Sequence, residues 1–502
     1  MFHLKSIKIK ETYLLFIIVI GLISLSIYTT YALFTASTEI ENVVDFTASI
    51  TTDSSVLEYE MVRIAAGETK IIEVNVINNY EQQLYYGVWY EIVAPTDDTS
   101  SLTIGTYTEK DDTPSSGTIS ASTTLTVLVG ITNTSSSEAI INLGTAGSLT
   151  SNLGLSDNRI LVPEGWSQSL TSAQVLTKLG LTVNSGTPDF SKTSCSSGCG
   201  EATVGIYAAE DDLGTSYYFR GDVTNNYVKF AGFYWRIIRI NGDGTIRMIY
   251  AGTSAHANGD TSTDNCITLN TFGGGSSFNS SGSNAYVGYM YGTADSLTYA
   301  AEHANTNNST IKGNIDSWYS SNLSSYSDYI ADAIYCNDRN LYSGLGYGTT
   351  NSSHYSAYGR LASNKSPTLK CANANDKFTT NSNVDIGNGS LTYSIGLITA
   401  DEISMAGTIY DSNSSTTNTS YYLYVGTDYW TMTPHNHVVY VNMEGQTDTF
   451  VFISDETGTL YINSTQDSFG FVKVRPVISL IPEAIQYGTG ISTDPFRVTI
   501  EI

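Results

Sequence analysis

The sequence predicts a multidomain chain with an N-terminal signal or transmembrane helix, an all-β sandwich and a larger α+β domain. Three observations support this prediction. A terminal apolar run follows three lysines, alternating apolar and polar residues fill the next hundred positions, and strand and helix patterns are mixed in the remainder. At 502 residues the chain is also too long for one ordinary core. We place the domains at 1–35, 36–155 and 191–502, with a linker and a short helix at 156–190.

The N-terminal segment has the pattern of an export signal or a signal anchor. Lys5, Lys8 and Lys10 precede the apolar run, which leaves the basic end inside the cell. The stretch 12–34 exceeds the roughly 20 residues that span a bilayer. Small residues around Ala32 match a cleavage site only poorly. We therefore expect export and attachment to the membrane through this helix, and the sequence leaves open whether the helix is cleaved.

The composition narrows the possible partners. The net charge is −25, from 48 acidic and 23 basic residues, and such a surface repels phosphate backbones. We therefore expect no nucleic-acid partner. Charged residues make up only 14% of the chain, and 36 tyrosines stand against 16 phenylalanines. Tyr-rich surfaces with few charges are typical of exported, loop-rich β proteins and of adaptable binding surfaces.

The region that follows the N-terminal segment has the alternation of an antiparallel sandwich. Ile72, Val74 and Val76 alternate with residues that face the other way, and Trp89 is a candidate core residue. Strand-like runs occupy 70–77, 85–92 and 123–131.

The rest of the chain combines helix and strand patterns. A short helix is predicted after Thr171 or Ser167, ending at Gly180. Runs at 217–223, 227–240 and 245–250 predict a three-stranded meander. Two helices are predicted further on, at 309–323 and 329–335, and the first has one apolar face made of Ile311, Ile315, Trp318 and Tyr319.

Five cysteines are compatible with disulfides in an exported chain. Cys336 could pair with Cys371, and Cys195 with Cys199, which would leave Cys266 unpaired. A zinc site is the weaker alternative because the spacing fits no common zinc motif. A fully reduced set of cysteines remains a third possibility.

Three motifs near the C-terminus define a frame. Thr399-Ala-Asp-Glu402 is a capping box that starts a helix ending at Gly407. An aromatic strand at 428–434 ends at a proline, and a closing strand at 472–480 contains Arg475, which must be hydrogen-bonded if it is buried.

These motifs, in this order, resemble the core of the formylglycine-generating-enzyme/C-type-lectin-like superfamily. Thr399 and Glu402 match its helix start, Trp430 its aromatic strand, and Arg475 its closing strand. The resemblance implies a C-type-lectin-like domain that binds a ligand through variable loops. It does not extend to the enzyme's chemistry, which needs a cysteine pair near the C-terminus, because no cysteine follows Cys371.

Two further resemblances concern location. The stretch 195–497 is similar to a family of uncharacterised exported surface proteins of gut Firmicutes, for example at 214–221, 233–244 and 334–339. The segment 30–42 weakly resembles the start of TasA/camelysin-like exported proteins. Both imply the cell surface, or the extracellular face of the membrane, of a Gram-positive-type bacterium.

The stretch after Pro434 is the predicted ligand-binding surface, in a loop held between the frame motifs. The candidate residues are His435, Asn436, His437, Tyr440 and Asn442. His435 and His437 are the only close histidine pair in the sequence, and a metal site there would need a third ligand, for which Glu444 or Asp428 could serve. Such histidines are more often exposed loop residues, so we predict no catalytic residues, no metal site and no cofactor. Calcium binding at acidic turns is left open.

Three functions remain. The leading hypothesis is a surface-anchored protein with a ligand-binding or adhesion domain for a glycan or a protein. The first alternative is a structural fibre subunit that assembles through its sandwich by strand donation. The second is a metal-dependent enzyme acting at His435 and His437.

Overall fold

The computed structural model describes residues 43–50, 57–94, 101–107, 113–155, 158–164, 170–194, 204–269, 274–383, 386–412, 417–419, 421–441, 445–467 and 469–498. The chain forms two compact units, Met1–Gln168 and Ser169–Ile502, whose boundary lies inside the predicted linker 156–190. The predicted signal or membrane helix, 1–35, lies outside the described residues. Among the helices that are described, none is long and apolar enough to cross a bilayer.

The described part of the first unit contains nine strands in two sheets. They are β1 (Val43–Ser49), β2 (Tyr59–Ile64), β3 (Thr69–Ile77), β4 (Leu84–Ala94), β5 (Leu102–Thr106), β6 (Ser116–Ile119), β7 (Thr124–Asn133), β8 (Ala139–Ser148) and β9 (Ile160–Leu161). One sheet has the order β1-β3-β7-β5, and the other has the order β2-β8-β4-β6 with β9 also paired to β4. β1 pairs with β3 in parallel, whereas the other pairings in these two sheets are antiparallel.

The two sheets share one apolar core, as the sequence alternation predicted. Ile72, Val74 and Val76 of β3 are fully buried, and they belong to the same cluster as Ile141 and Leu143 of the other sheet. Each strand therefore turns one row of side chains inward, the arrangement that a two-layer sheet packing requires.

The second unit contains the remaining strands. They are β10 (Gly205–Asp211), β11 (Gly214–Arg220), β12 (Tyr227–Phe230), β13 (Phe233–Ile240), β14 (Ile246–Tyr250), β15 (Met290–Tyr291), β16 (Asn307–Asn308), β17 (Tyr335–Cys336), β18 (Leu341–Ser343), β19 (Ser353–Tyr355), β20 (Lys377–Phe378), β21 (Ser382–Asn383), β22 (Gly387–Asn388), β23 (Tyr429–Val439), β24 (Thr447–Ser454), β25 (Leu460–Ser464), β26 (Val477–Leu480), β27 (Ile485–Tyr487) and β28 (Phe496–Val498).

The helices of the second unit are short. They are α1 (Ser172–Lys178), α2 (Tyr299–Glu302), α3 (Thr310–Asn322), α4 (Ser356–Tyr358), which a π-helical turn (Gly359–Asn364) continues, and α5 (Ala400–Ala406). Single 3-10 turns lie at Thr263–Asn265, Asn284–Val287, Ser324–Tyr329 and Ala374–Asp376.

Two sheets organise this unit around a single large core. An eight-stranded sheet follows the path β10-β11-β13-β12-β28-β27, with β14 on β13 and β26 on β14. A five-stranded sheet has the order β18-β19-β23-β24-β25. Both sheets contribute to the same buried cluster, which also includes Val175 and Leu179 at helix α1. The predicted linker helix is therefore part of this core. The fold is thus β-rich in both units.

The predicted long strand 227–240 is instead a hairpin. β12 and β13 pair so that Phe230 lies opposite Phe233, with a two-residue turn at Ala231 and Gly232. Both turn residues have positive φ, 54° and 78°. This is the backbone that a tight hairpin turn needs, and the apolar residues on either side conceal it in the sequence.

One predicted helix is present and the other is not. Helix α3 starts after its cap Ser309 and buries Ile311, Ile315 and Tyr319, as predicted. The segment predicted as a helix at 329–335 is extended instead. Ala331 donates to the carbonyl of Ser479 on β26, so pairing with a sheet edge overrides the local helix preference.

Arg475 is buried in the closing segment and joins the end of β14 to the loop that contains Leu423. Its Nε donates to the carbonyl of Tyr250 at 3.0 Å, and its Nη1 donates to the carbonyl of Leu423 at 2.8 Å. The guanidinium also lies 5.0 Å from the ring centre of Tyr429. The sequence prediction of a hydrogen-bonded arginine is confirmed.

Candidate functional site

A polar cleft in the second unit is lined by three parts of the chain. It encloses a cavity of about 40 Å³. The parts are strands β10, β13 and β14, the start of helix α5, and the segments on either side of a disulfide. The strands contribute Asp211, Arg239 and Arg247, and the helix start contributes Thr399, Asp401 and Glu402. The segments beside the disulfide contribute Cys336, Asp338, Arg360 and Cys371.

Two arginines face each other in the sheet and share one carboxylate. Arg239 on β13 is the direct cross-strand partner of Arg247 on β14. Glu402 Oε1 lies 3.0 Å from Nε of Arg239 and 2.6 Å from Nε of Arg247, and Asp211 Oδ2 lies 2.7 Å from Nη1 of Arg239. All four side chains are buried. Because opposed like charges destabilise a strand pair, the carboxylates are what makes this placement tolerable.

Glu402 is ionised in this environment. Burial alone would raise the pKa of its carboxyl, but the charges of Arg247 and Arg239 outweigh burial and lower the pKa below its ordinary value. Glu402 therefore supplies a fixed negative charge to the cleft wall.

The same residue also starts helix α5. Glu402 Oε2 accepts a hydrogen bond from the backbone N–H of Thr399 at 2.9 Å, and Thr399 Oγ1 accepts one from the N–H of Glu402 at 3.1 Å. The predicted capping box is thus present. One side chain both caps the helix and neutralises the two arginines, so the helix start is fixed relative to the sheet.

Arg360 bridges two carboxylates on another side of the cleft. Its Nε and Nη2 donate to Asp401 at 3.0 Å and 2.8 Å, and Nη2 also donates to Asp338 Oδ2 at 2.6 Å. Asp338 has a positive φ of 38°, a conformation that Asp tolerates better than most residues. Burial raises the pKa of Asp338, and the charge of Arg360 offsets only part of that rise.

A disulfide between Cys336 and Cys371 closes this part of the site. The two half-cystines are 35 positions apart, and the segment between them carries Asp338 and Arg360. The N–H of Cys371 donates to Asp212 Oδ2 at 2.8 Å. Cys266 is free and buried, and the suggested Cys195–Cys199 pair lies outside the described residues.

The structure places the predicted ligand-binding histidines in a strand instead of a loop. β23 continues through Pro434 to Val439, and the pairing with β24 shifts register at Pro434. A proline at such an irregularity needs no ladder hydrogen bond, so it does not end the strand. His435, Asn436 and His437 are consequently buried.

His435 lies in an aromatic cluster. Its ring centre is 4.8 Å from that of Phe452, 5.2 Å from that of Tyr358 and 5.7 Å from that of Tyr410. Nδ1 lies 2.7 Å from Oδ1 of Asn436, which can only accept, so Nδ1 carries the proton. Nε2 is buried without a hydrogen-bond partner among the described residues. Burial lowers the pKa of His435 to about 4.

The other predicted residues are distributed differently. Both ring nitrogens of His437 lie near backbone carbonyls, 3.2 Å from Asn351 O and 3.3 Å from Gly282 O. Tyr440 is half-exposed at the end of the hairpin, and Asn442 lies outside the described residues. Of the predicted set, Tyr440 is thus the described residue with an accessible side chain. Within the described part of the chain, no three His, Cys, Asp or Glu side chains form a group that could hold a metal.

Sequence reasoning assigned no binding role to the residues that line the cleft. Arg239 and Arg247 could have been noticed, because each is a charged residue within a predicted strand of otherwise apolar pattern. Asp338 and Arg360 had no comparable local indication, since their partner Asp401 is 41 positions from Arg360.

Comparison with known proteins adds no family. No protein-family model and no curated protein matches the chain. Among solved structures, the crystal structure of Aeromonas hydrophila PliG, a periplasmic lysozyme inhibitor of g-type lysozyme, is similar over 21% of this chain and 100% of that chain. The sequence identity is 7% and the TM-score is 0.11. A likeness at this level carries no argument about fold or function.

Proposed function

We propose that this chain is an exported bacterial surface protein whose C-terminal unit binds a ligand in the polar cleft beside the disulfide. The unit would be C-type-lectin-like, the N-terminal helix would hold the chain at the membrane, and the ligand would be a glycan or a protein on a surface. The observation that carries this proposal is the cleft itself. It is open to solvent, and its walls are held by buried ion pairs and a covalent bridge.

Rigid walls favour binding because little side-chain freedom is lost when a ligand arrives. Arg239 and Arg247 are already paired with Glu402, so none of these three needs to reorganise. The bidentate contact between Arg360 and Asp401 has the same effect on the opposite segment.

Glu402 and Asp401 favour binding over acid–base chemistry. Glu402 has a lowered pKa and two cationic partners, which makes it a poor proton acceptor. Asp401 is occupied by Arg360 and by the N–H of Thr368. These residues shape a site and have no evident role in moving a proton.

The disulfide supports the location. Structural disulfides persist in oxidising compartments outside the cytosol. A bridge between Cys336 and Cys371 is therefore in keeping with an exported unit.

Ligand arrays test the binding function. The full-length chain in detergent would be applied to glycan and surface-protein arrays, together with Asp338→Asn and Tyr440→Ala. We expect saturable binding that Asp338→Asn weakens and Tyr440→Ala leaves unchanged. Loss of binding only in Tyr440→Ala would move the site to the hairpin end, and binding no stronger than background would remove the proposal.

Location is tested on cells. Protease added to intact cells should degrade the C-terminal unit, and N-terminal sequencing of the mature protein would show whether the apolar helix is retained. A chain that resists protease until the cells are lysed would contradict surface exposure.

A specific feature of the first unit favours a second candidate function, assembly into a fibre. β1 lies at the edge of its sheet and pairs in parallel with β3 over seven positions. It comes first among the described strands, so a neighbouring subunit could donate an equivalent strand to β3.

Strand donation can be tested with a truncated chain. Removal of residues 1–50 would uncover the β3 edge, and a synthetic peptide of residues 43–50 should then bind it. Light scattering of the intact chain should show growth with concentration. Fibre assembly would be contradicted if the truncated chain does not bind the peptide and the intact chain stays monomeric.

A further inference from the structure

The cleft contains more negative than positive side chains. Five aspartates and Glu402 line it, against three arginines and one lysine. Each of the three arginines already pairs with a carboxylate of the cleft wall. Asp212 also pairs with Lys377, which lies outside the lining, at 3.0 Å. Six carboxylates against three arginines, Lys370 and Lys377 leave one negative charge in excess, and a cationic ligand would complement it.

A buried amide in the same cleft also needs a hydrogen-bond donor. The side chain of Asn241 is 4% exposed, and its Nδ2 donates to Thr245 Oγ1 at 2.8 Å. Its Oδ1 is buried and has no hydrogen-bond partner among the described residues. A buried carbonyl oxygen that stays unpaired is costly, so this atom favours a ligand that donates.

Asp338 supplies a further acceptor. Its Oδ2 accepts from Arg360, whereas its Oδ1 receives no hydrogen bond from the described residues. The contact with Arg360 holds the carboxylate at the cleft wall.

We propose that the cleft binds the primary ammonium group of its ligand, and this inference rests on the proposed function. An ammonium group carries a positive charge and three donors, and it has no acceptor. It therefore matches the surplus of carboxylates, the free oxygen of Asp338 and the unpaired oxygen of Asn241. A lysine side chain of a protein and an amino sugar of a glycan share this chemistry.

Pairs of probes that differ only at the amine isolate the ammonium group. The probes are Nα-acetyl-lysine methylamide against its Nε-acetylated form, and glucosamine against N-acetylglucosamine. Binding to the full-length chain would be followed by NMR titration at low salt. We expect the amine of at least one pair to bind at least tenfold more tightly than its acetylated form. The pair that shows this difference in affinity identifies whether the ammonium group of the ligand comes from a protein or from a glycan.

Two variants locate the effect. Asp338→Asn keeps the shape and tolerates the left-handed backbone, and it should weaken amine binding at least tenfold. Asn241→Leu removes the unpaired acceptor and should also weaken it. Asp328→Asn is the matched control, because Asp328 is an exposed carboxylate that does not line the cleft. It should leave binding unchanged.

The possible failures are distinct. Equal affinity for amine and acetylated probes, or equal loss in Asp328→Asn and Asp338→Asn, overturns the ammonium inference. If array ligands need Asp338 but are not displaced by free amines, the ammonium inference is also wrong. The cleft would then still be the binding site. Absence of both probe binding and array binding would overturn the proposed function as well.

Discussion

Arg239 lies directly opposite Arg247 across the β13–β14 pair, with both guanidinium groups buried. Such a placement is stable because Asp211 pairs with Arg239 and a second carboxylate is shared between the two cations. Glu402 provides it while also capping helix α5. The position of the helix and the charge balance of the cleft therefore depend on one side chain.

Substitution of the Glu402 carboxylate should destabilise the second unit strongly. Glu402→Gln keeps the size and part of the cap but leaves two opposed, buried cations with reduced compensation. We expect a loss of roughly 3–5 kcal/mol in the free energy of unfolding, the range for breaking a buried ion pair. Urea denaturation followed by tryptophan fluorescence would measure it.

An exposed ion pair provides the control for this substitution. Lys192 contacts Asp189 at 3.0 Å with both side chains largely open to solvent. Lys192→Gln should leave the transition where it is, because exposed pairs are weak. Similar midpoints for the two variants would show that Glu402 is not the linking residue described above.

Arg475 should not be replaceable by lysine. Its Nε and Nη1 reach the carbonyls of Tyr250 and Leu423 at the same time, and a lysine ammonium cannot reproduce this fork. Arg475→Lys should cost roughly 1–3 kcal/mol, because a buried carbonyl would be left without a donor. Thermal melts of the two variants would measure the costs, and Arg497→Lys, at a half-exposed arginine of the same unit, should cost much less. Equal costs would argue against the role of the two carbonyls.

The sequence predicted those elements that depend on local periodicity or capping. The alternation of Ile72, Val74 and Val76, the apolar face of helix α3 and the Thr399 cap are each decided within one or two turns or a single strand. The β-rich, multi-unit organisation followed from these patterns.

The errors arose where contacts distant in the sequence decide the outcome. Ala331 pairs with β26, so the local preference for a helix at 329–335 did not decide the structure. Pro434 lies at a register shift, so it did not end strand β23. The cleft was missed for the same reason. Asp338, Arg360 and Asp401 meet only after a disulfide and a helix start have been brought together, and no short pattern records their distances.

Loss of the disulfide should loosen the cleft more than the rest of the unit. The bridge closes a segment of 35 positions, for which the loss of chain entropy predicts about 4 kcal/mol of stabilisation. The double variant Cys336→Ser, Cys371→Ser should therefore unfold at lower temperature and bind array ligands more weakly. Non-reducing peptide mass mapping would establish the bridge directly.

Treatment of that double variant with reductant serves as its control. Any remaining shift in its melting temperature would come from another disulfide, and the pair Cys195–Cys199 is the candidate. A wild-type melting temperature that does not respond to reductant would contradict a stabilising bridge between Cys336 and Cys371.

His435 should make the second unit sensitive to acid. Burial lowers the pKa of the folded side chain from its ordinary 6.5 to about 4. Between these two pH values the unfolded chain is protonated at His435 and the folded chain is not. Stability from this group is complete above pH 6.5 and is lost as the pH falls toward 4. A shift of this size corresponds to about 3 kcal/mol. Wild-type chain should therefore lose about that much more stability than His435→Gln between pH 7 and pH 4, in denaturant titrations at each pH.

A buried carboxyl with the opposite behaviour checks the sign. Burial raises the pKa of Glu302 to about 7, so its contribution is present below its ordinary pKa of 4.5 and is lost as the pH rises through 7. Glu302→Gln should accordingly steepen the loss of stability in acid relative to wild type, whereas His435→Gln should flatten it. If both variants changed the slope in the same direction, the assignment of the acid sensitivity to the buried His435 ring would be wrong.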